Sequence, residues 1–301
     1  MAGDEGRSGA KQGFTLYNYD PSLPAAAVFV ILFALSTLVH IWQLFKSRTW
    51  YFIPFLIGCL FEAAGYIGRA LSAKEAPDYT KNPYIMQSIL LLLGPALYAA
   101  SIYMVLGRLI VLLDARRLSL IPTKWLTKLF VLGDVLSFVA QSGGGGMLAT
   151  AKDKESVKKG ENIIVGGLMI QILFFGFFMI VTLVFHIRIR KAPTNRSATL
   201  TTPWKKLLMV LYATSLFILV RSAFRVAEYV LGKEGVLQSN EFYIYLFDAT
   251  LMASVSILFN WFHPSRVINS RAIIKSPFDN DQYSLESQSF SSHENNGYQR
   301  C

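Results

Sequence analysis

Within the stretch LVRSAFRVAEYVLG, residues 219 to 232, Arg221, Arg225 and Glu228 interrupt an otherwise apolar run. Positions i, i+4 and i+7 share one face of an α-helix. Two guanidiniums and a carboxylate aligned in this way suit either of two tasks. They bind a charged or hydrogen-bonding group, or they lock onto opposite charges of neighbouring helices. Gly58, Glu62, Gly65 and Arg69 repeat the spacing, and Asp134 and Gln141 stand seven apart. Gln87, Gln171 and Asp248 lie in further apolar runs. The acids Glu62, Asp134, Glu228 and Asp248 roughly balance Arg69, Arg221 and Arg225, so the ten polar residues form one candidate set lining a polar cavity.

Other chemistries fit the sequence less well. His40, His186 and His263 contain no H-x-x-x-H or H-E-x-x-H pair, so a catalytic metal site has no sequence support. Ser101, Ser137 and Ser222 have no sequence-evident base beside them. There is no G-x-x-x-x-G-K-[ST] loop for nucleotide phosphates. The reading is a protein that is not an enzyme, with no cofactor and no bound metal.

The elements that must position these residues are membrane helices. The 301 residues are 53% hydrophobic and 16% charged, with a mean hydropathy of +0.39. The apolar residues fall in seven blocks, at 25–45, 51–71, 86–113, 125–148, 163–187, 207–231 and 242–262. A membrane-crossing helix needs about 20 such residues. The expected fold is therefore all-α, a polytopic bundle of seven transmembrane helices over 25–262. A polar tail (1–24) precedes it and a disordered tail (263–301), rich in Ser, Asn and Gln, follows. Residues 1–24 lack the apolar core of a cleavable signal. Cys59 lies in a span and Cys301 at the other end of the numbering, which gives neither a disulfide framework nor a prenylation box.

A net charge of +10 raises nucleic acid as a partner, but the distribution argues for orientation instead. Connections on one side of the seven blocks hold 15 Lys and Arg, those on the other 9. The positive-inside bias puts the amino terminus outside and the carboxyl terminus in the cytosol. The sequon Asn195-Arg196-Ser197 then faces the cytosol, unmodified. From the 1.5 Å rise per residue, Arg221 lies roughly 21 Å across from the cytosolic face, and Asp248 about 9 Å in from the outer face. Glu62 falls near mid-membrane. Trp42, Trp50, Trp125, Trp204 and Trp261 read as interfacial anchors. Pro54 and Pro95 are candidate kinks, while Gly143 to Gly146 mark close packing or a loosened end of the fourth span, or else a hinge or substrate-facing unwound turn.

Eight segments also resemble one family. YDPS (19–22), EAAGYIGR (62–69), QSILLLLGPALYAASIYMVLGRLI (87–110), DVLSFVAQSGGGGM (134–147), GGLMIQ (166–171), RSAFRVAE (221–228), YLFDATLM (245–252) and NWFHP (260–264) occur in the order seen in the fungal lipid-translocating exporters, the RTA-like proteins. That resemblance implies a seven-helix protein of a fungal membrane, most readily the plasma membrane. It would move sphingoid bases, sterol-like toxic amphiphiles or porphyrin. Membrane lipids and an amphipathic small molecule are the implied partners, with no protein partner identified. The resemblance brings no catalytic residues. A seven-helix lipid-stress sensor is the second reading, and an intramembrane metal-dependent lipid hydrolase the third.

Overall fold

In a computed structural model, residues 21–75, 79–151, 153–231 and 241–268 are described. Both tails, apart from their inner edges, lie outside the described residues. Proline and capping side chains set where the helices begin. Helix α1 (Leu23–Ser47) starts from Ser22, whose hydroxyl accepts the Ala25 N–H, with proline in its first turn. After a short 3₁₀ turn, α2 (Ile53–Lys74) carries Pro54 in its first turn, where no helical N–H is needed. Pro54 therefore starts a helix instead of kinking one. Helix α3 (Lys81–Leu112) contains Pro95 in its interior. Helix α4 covers Thr123–Thr150, α5 Lys154–Lys191, the short α6 Asn195–Thr199 and α7 Trp204–Leu231. The last helical rod is α8 (Glu241–Ile244), a π-helical turn (Tyr245–Ala249) and α9 (Thr250–Trp261).

The described residues contain helices and no strand. Among the described residues, six helical stretches are long and apolar enough to cross a membrane: Leu23–Ser47, Trp50–Lys74, Asn82–Leu112, Glu155–Lys191, Trp204–Leu231 and Glu241–Arg266. Helix α4 does not qualify by apolarity. Its 28 residues reach about 42 Å at 1.5 Å per residue, but they include Lys124, Lys128, Asp134 and the glycine run. It packs along α5 and α3.

Two boundaries differ from the sequence expectation. The connection expected over 149–162 is mostly helix, because α5 begins at Lys154. The Asp153 carboxylate caps it by accepting the Ser156 N–H at 3.1 Å, and a Glu155–Lys159 pair at 2.7 Å supports its exposed first turns. The glycine run is also helical throughout. A Cβ on Gly144 would lie 2.7 Å from the Gly160 carbonyl oxygen, so Gly144 is where α4 and α5 touch backbone to backbone.

The core is aromatic. Phe55 stacks on Tyr98 at 4.3 Å and on Phe52 at 4.6 Å, with Phe259 closing edge-on at 5.0 Å, so that α2, α3 and α9 meet there. Outward-facing positions are apolar as well. Leu38, Phe45, Leu173, Met209 and Val139 are each about three-fifths exposed or more. Lipid is the solvent that such a surface suits. Trp42, Trp50, Trp125 and Trp261 are exposed at helix ends, as membrane anchors should be. Trp204 differs: it is buried and donates its indole N–H to the Ser197 carbonyl, pinning α6.

Candidate functional site

The ten polar residues fall into three groups. At the first, Arg221 of α7 is 2% exposed, and its Nε donates to Asp248 Oδ1 in the π turn at 2.5 Å. Arg225 Nη1 donates to Glu228 Oε2 at 2.9 Å, while its Nε lies 3.9 Å from Asp248 Oδ2. These ions therefore meet each other instead of pointing into lipid, where each would be costly.

Pro95 explains one further bond of Arg221. A proline inside a helix has no N–H for the carbonyl four residues earlier. In α3 that carbonyl belongs to Leu91, and Arg221 Nη2 donates to it at 2.7 Å. The guanidinium thus ties α7 to α3 and to the π turn at once. Such repair of a proline-freed carbonyl is what lets the residue persist at membrane depth.

Glu62 of α2 joins this group differently. It is 0% exposed and neither carboxylate oxygen has a hydrogen-bond partner among the described residues. Its side chain lies over Gly94 of α3, where a Cβ would come within 2.6 Å of Oε1. Arg221, Asp248 and Arg225 are the charges whose fields reach it. One turn on, Tyr66 Oη is equally buried and unpartnered.

A second group sits at the end of the bundle where α1 begins. Arg69 Nη2 donates to Glu241 Oε1 at 2.8 Å, and its Nε donates to Tyr245 Oη at 3.0 Å. The Ser22 N–H, at the head of α1, also donates to Glu241, at 2.9 and 3.0 Å. Sequence reasoning missed Glu241 and Tyr245. Glu241 falls in the connection between the sixth and seventh blocks, one residue before the last begins, and charge balance among the buried residues does not call for it. Gln87 is buried in α3, opposite Gly68 of α2.

The third group stands apart, between α4 and its neighbours. Ser137 Oγ donates to the Gly167 carbonyl at 2.7 Å, and Gln141 Nε2 donates to Ser137 Oγ and to Gln171 Oε1, at 2.5 and 3.3 Å. This zipper joins α4 to α5. Asp134 is 5% exposed with both oxygens unpartnered among the described residues, and Tyr103 of α3 is the titratable group that acts on it. Asp134, Gln141 and Gln171 are thus not part of the arginine seam.

Towards the other end of the bundle, hydroxyls and one thiol form a file. Tyr98 Oη donates to Cys59 Sγ at 3.2 Å, Cys59 Sγ meets Ser256 Oγ at 3.3 Å, and Ser256 Oγ meets Ser36 Oγ at 2.5 Å. His40 and His263 lie nearby, 6.4 Å apart between ring centroids, whereas His186 pairs with Tyr212 elsewhere. The described residues contain no cluster of three or more His, Cys, Asp or Glu able to hold a metal ion.

A helical membrane protein carrying a charged seam among lipid-facing helices is the class these features define. This chain belongs to the RTA1-like family: the model described as "RTA1 like protein" matches residues 55–271. It is 38% identical over 283 residues to Protoporphyrin uptake protein 1 of Saccharomyces cerevisiae, covering 82% of this chain and 91% of that one. Probable lipid transporter atnI of Emericella nidulans is 31% identical over 266 residues, covering 84% of this chain and 68% of its own length. Sphingoid long-chain base transporter RSB1 of S. cerevisiae is 25% identical over 287 residues, covering 84% and 74%. No solved structure matches. Lipid transport is therefore a role carried within this family.

Proposed function

We infer that this protein moves an amphipathic lipid or lipid-like toxic compound, such as a sphingoid base or a sterol-like amphiphile, between leaflets or out of the membrane. The observation carrying this reading is the arginine–carboxylate seam between α2, α3, α7 and the last helical rod, inside a bundle coated with apolar side chains. A polar strip of this kind shelters a headgroup while the tails stay in lipid, lowering the cost of drawing a charge through hydrocarbon. In this reading α4 is a seventh span, the amino terminus lies outside and residues 263–301 lie in the cytosol. The plasma membrane is the proposed location, and the candidate residues of the arginine and Glu241 groups contact the headgroup.

Purified protein in phosphatidylcholine vesicles should speed the flip of a fluorescent long-chain base over protein-free vesicles. Glu228→Gln should slow it severalfold, because Glu228 is buried against Arg225, whereas Lys158→Gln, on an exposed turn of α5, should not. Wild-type rates in both variants would count against the seam. The close packing of the seam, with Arg221 and Asp248 only 2% exposed, favours a lipid-stress sensor as the second reading. Unchanged flip by folded protein would favour it.

A further inference from the structure

The seam holds two guanidiniums, Arg221 and Arg225, against three carboxylates, Asp248, Glu228 and Glu62. Hydrogen bonds assign the first two carboxylates to the arginines and leave Glu62 with none. Glu241, outside the seam, is held by Arg69 and the Ser22 N–H. One negative charge is thus in excess, on a side chain 0% exposed beside an equally buried, unpartnered tyrosine hydroxyl. A buried carboxylate without a partner calls for one positive charge, and within a membrane two sources are at hand: a proton and the cationic head of an amphipath.

We propose that Glu62 is the exchange site at which a proton and the cationic amine headgroup of a long-chain amphipath take turns. This rests on the lipid-moving function inferred above. The groups facing Glu62 are Arg221 and Arg225 of α7, Asp248 of the π turn, Tyr98 of α3, and Cys59 and Tyr66 on its own helix. The two arginines are occupied by Asp248 and Glu228, and they hold the seam's remaining charge fixed while Glu62 alternates. Gly94 leaves the room in which the carboxylate sits. On one side of Glu62, Tyr66 leads towards Tyr245 and Glu241 at the head of α1; on the other, Cys59 opens the file through Ser256 to Ser36. Each cycle carries one cation one way and one proton the other. Charge is conserved, so the exchange is electroneutral and the energy comes from a pH difference.

The test uses the full chain in phosphatidylcholine vesicles and a fluorescent long-chain base bearing a trimethylammonium head, which has no neutral form to leak across. With a pH difference of one unit, the probe should accumulate about tenfold in the leaflet facing the acidic side, as one-for-one exchange requires. A potassium diffusion potential should leave the distribution unchanged. A neutral N-acylated analogue should distribute evenly. Glu62→Gln should lose the pH response, Glu62→Asp should retain it, and the exposed Glu155→Gln should match wild type. Wild-type protein that moves the probe without a pH response, or Glu62→Gln that keeps one, would overturn the exchange site yet leave lipid movement standing. Wild-type protein that moves no probe would overturn both. Should Glu62→Gln fail to fold, the cationic and neutral probes on wild-type protein decide alone.

Discussion

Replacing Arg221 with methionine tests the tertiary reasoning most directly, because that guanidinium has two partners at once. Its loss leaves Asp248, 2% exposed, with only the Arg225 contact at 3.9 Å. Breaking one side of a buried ion pair costs about 3–5 kcal/mol. The Leu91 carbonyl also loses its donor, because Pro95 has no N–H to give, and an unsatisfied buried carbonyl costs about 1–3 kcal/mol. Since neighbouring effects overlap, about 4–6 kcal/mol is expected in all. At roughly 2–4 °C per kcal/mol for a domain of this size, the midpoint should fall by about 10–20 °C. The fold supplies its own reporter: Cys59 is 0% exposed, so in a Cys301→Ser background a thiol-reactive dye reads unfolding through Cys59. Two second-site changes separate the terms. Asp248→Leu added to Arg221→Met should recover part of the loss, because no buried charge is then left unpaired by the first change. Pro95→Ala should stabilise the Arg221→Met variant by about 1 kcal/mol more than it stabilises wild type, because it returns an N–H to Leu91. A midpoint within 2 °C of the parent for Arg221→Met, or a double variant with Asp248→Leu that melts below the single, would refute the argument.

Two glycines should respond differently to alanine. At Gly94 the three atoms nearest a new methyl all belong to the Glu62 side chain, with Oε1 at 2.6 Å, so Gly94→Ala should displace that carboxylate, lose the pH response as Glu62→Gln does, and shift the midpoint less than a change at Gly144. At Gly144 it meets the Gly160 carbonyl and the Ile164 backbone nitrogen at 2.7 and 3.0 Å, so Gly144→Ala should cost about 1–3 kcal/mol by prising α4 from α5, as the same thermal assay would show. The Asp153 cap depends on pH. Hydrogen bonds from the Ser156 hydroxyl and N–H hold its carboxyl below the usual carboxylate range. Its support for α5 is therefore present above the ordinary value and is lost as pH falls through the lowered one. Hydrogen exchange at 154–157, corrected for intrinsic rates, should rise on acidification in wild type and not in Asp153→Asn. The Asn195 sequon should carry no glycan when the chain is expressed in a eukaryotic membrane; a glycan would reverse the proposed orientation.

How much of this was legible beforehand depends on which force is local. Membrane helices announce themselves because length and apolarity belong to each segment separately, so six of the seven blocks reappear as helices suited to a membrane, and the fourth as a helix whose apolar run is broken by Lys128, Asp134 and the glycines. The spacing of Arg221, Arg225 and Glu228 also fixed their common face without reference to any partner. Relative level was partly legible: counting 1.5 Å per residue along the two antiparallel spans sets Arg221 and Asp248 at matching heights, and the two side chains do pair.

Partner choice was not legible, because it depends on how helices are arranged about one another and on breaks in their regularity. The π turn around Asp248 departs from the 3.6-residue repeat on which face counting relies. Pro95 read as a kink, and only the position of α7 beside α3 made its freed carbonyl a ligand for Arg221. Glu241 sat in what looked like a connection until the last helical rod brought it to Arg69 and Ser22. Sequence by itself determined that charges would be buried, since apolar runs surround them whatever the packing. Tertiary structure decided which charges neutralise one another and which carboxylates are left over, because ion pairing acts over a few ångströms between helices and depends on their arrangement in space.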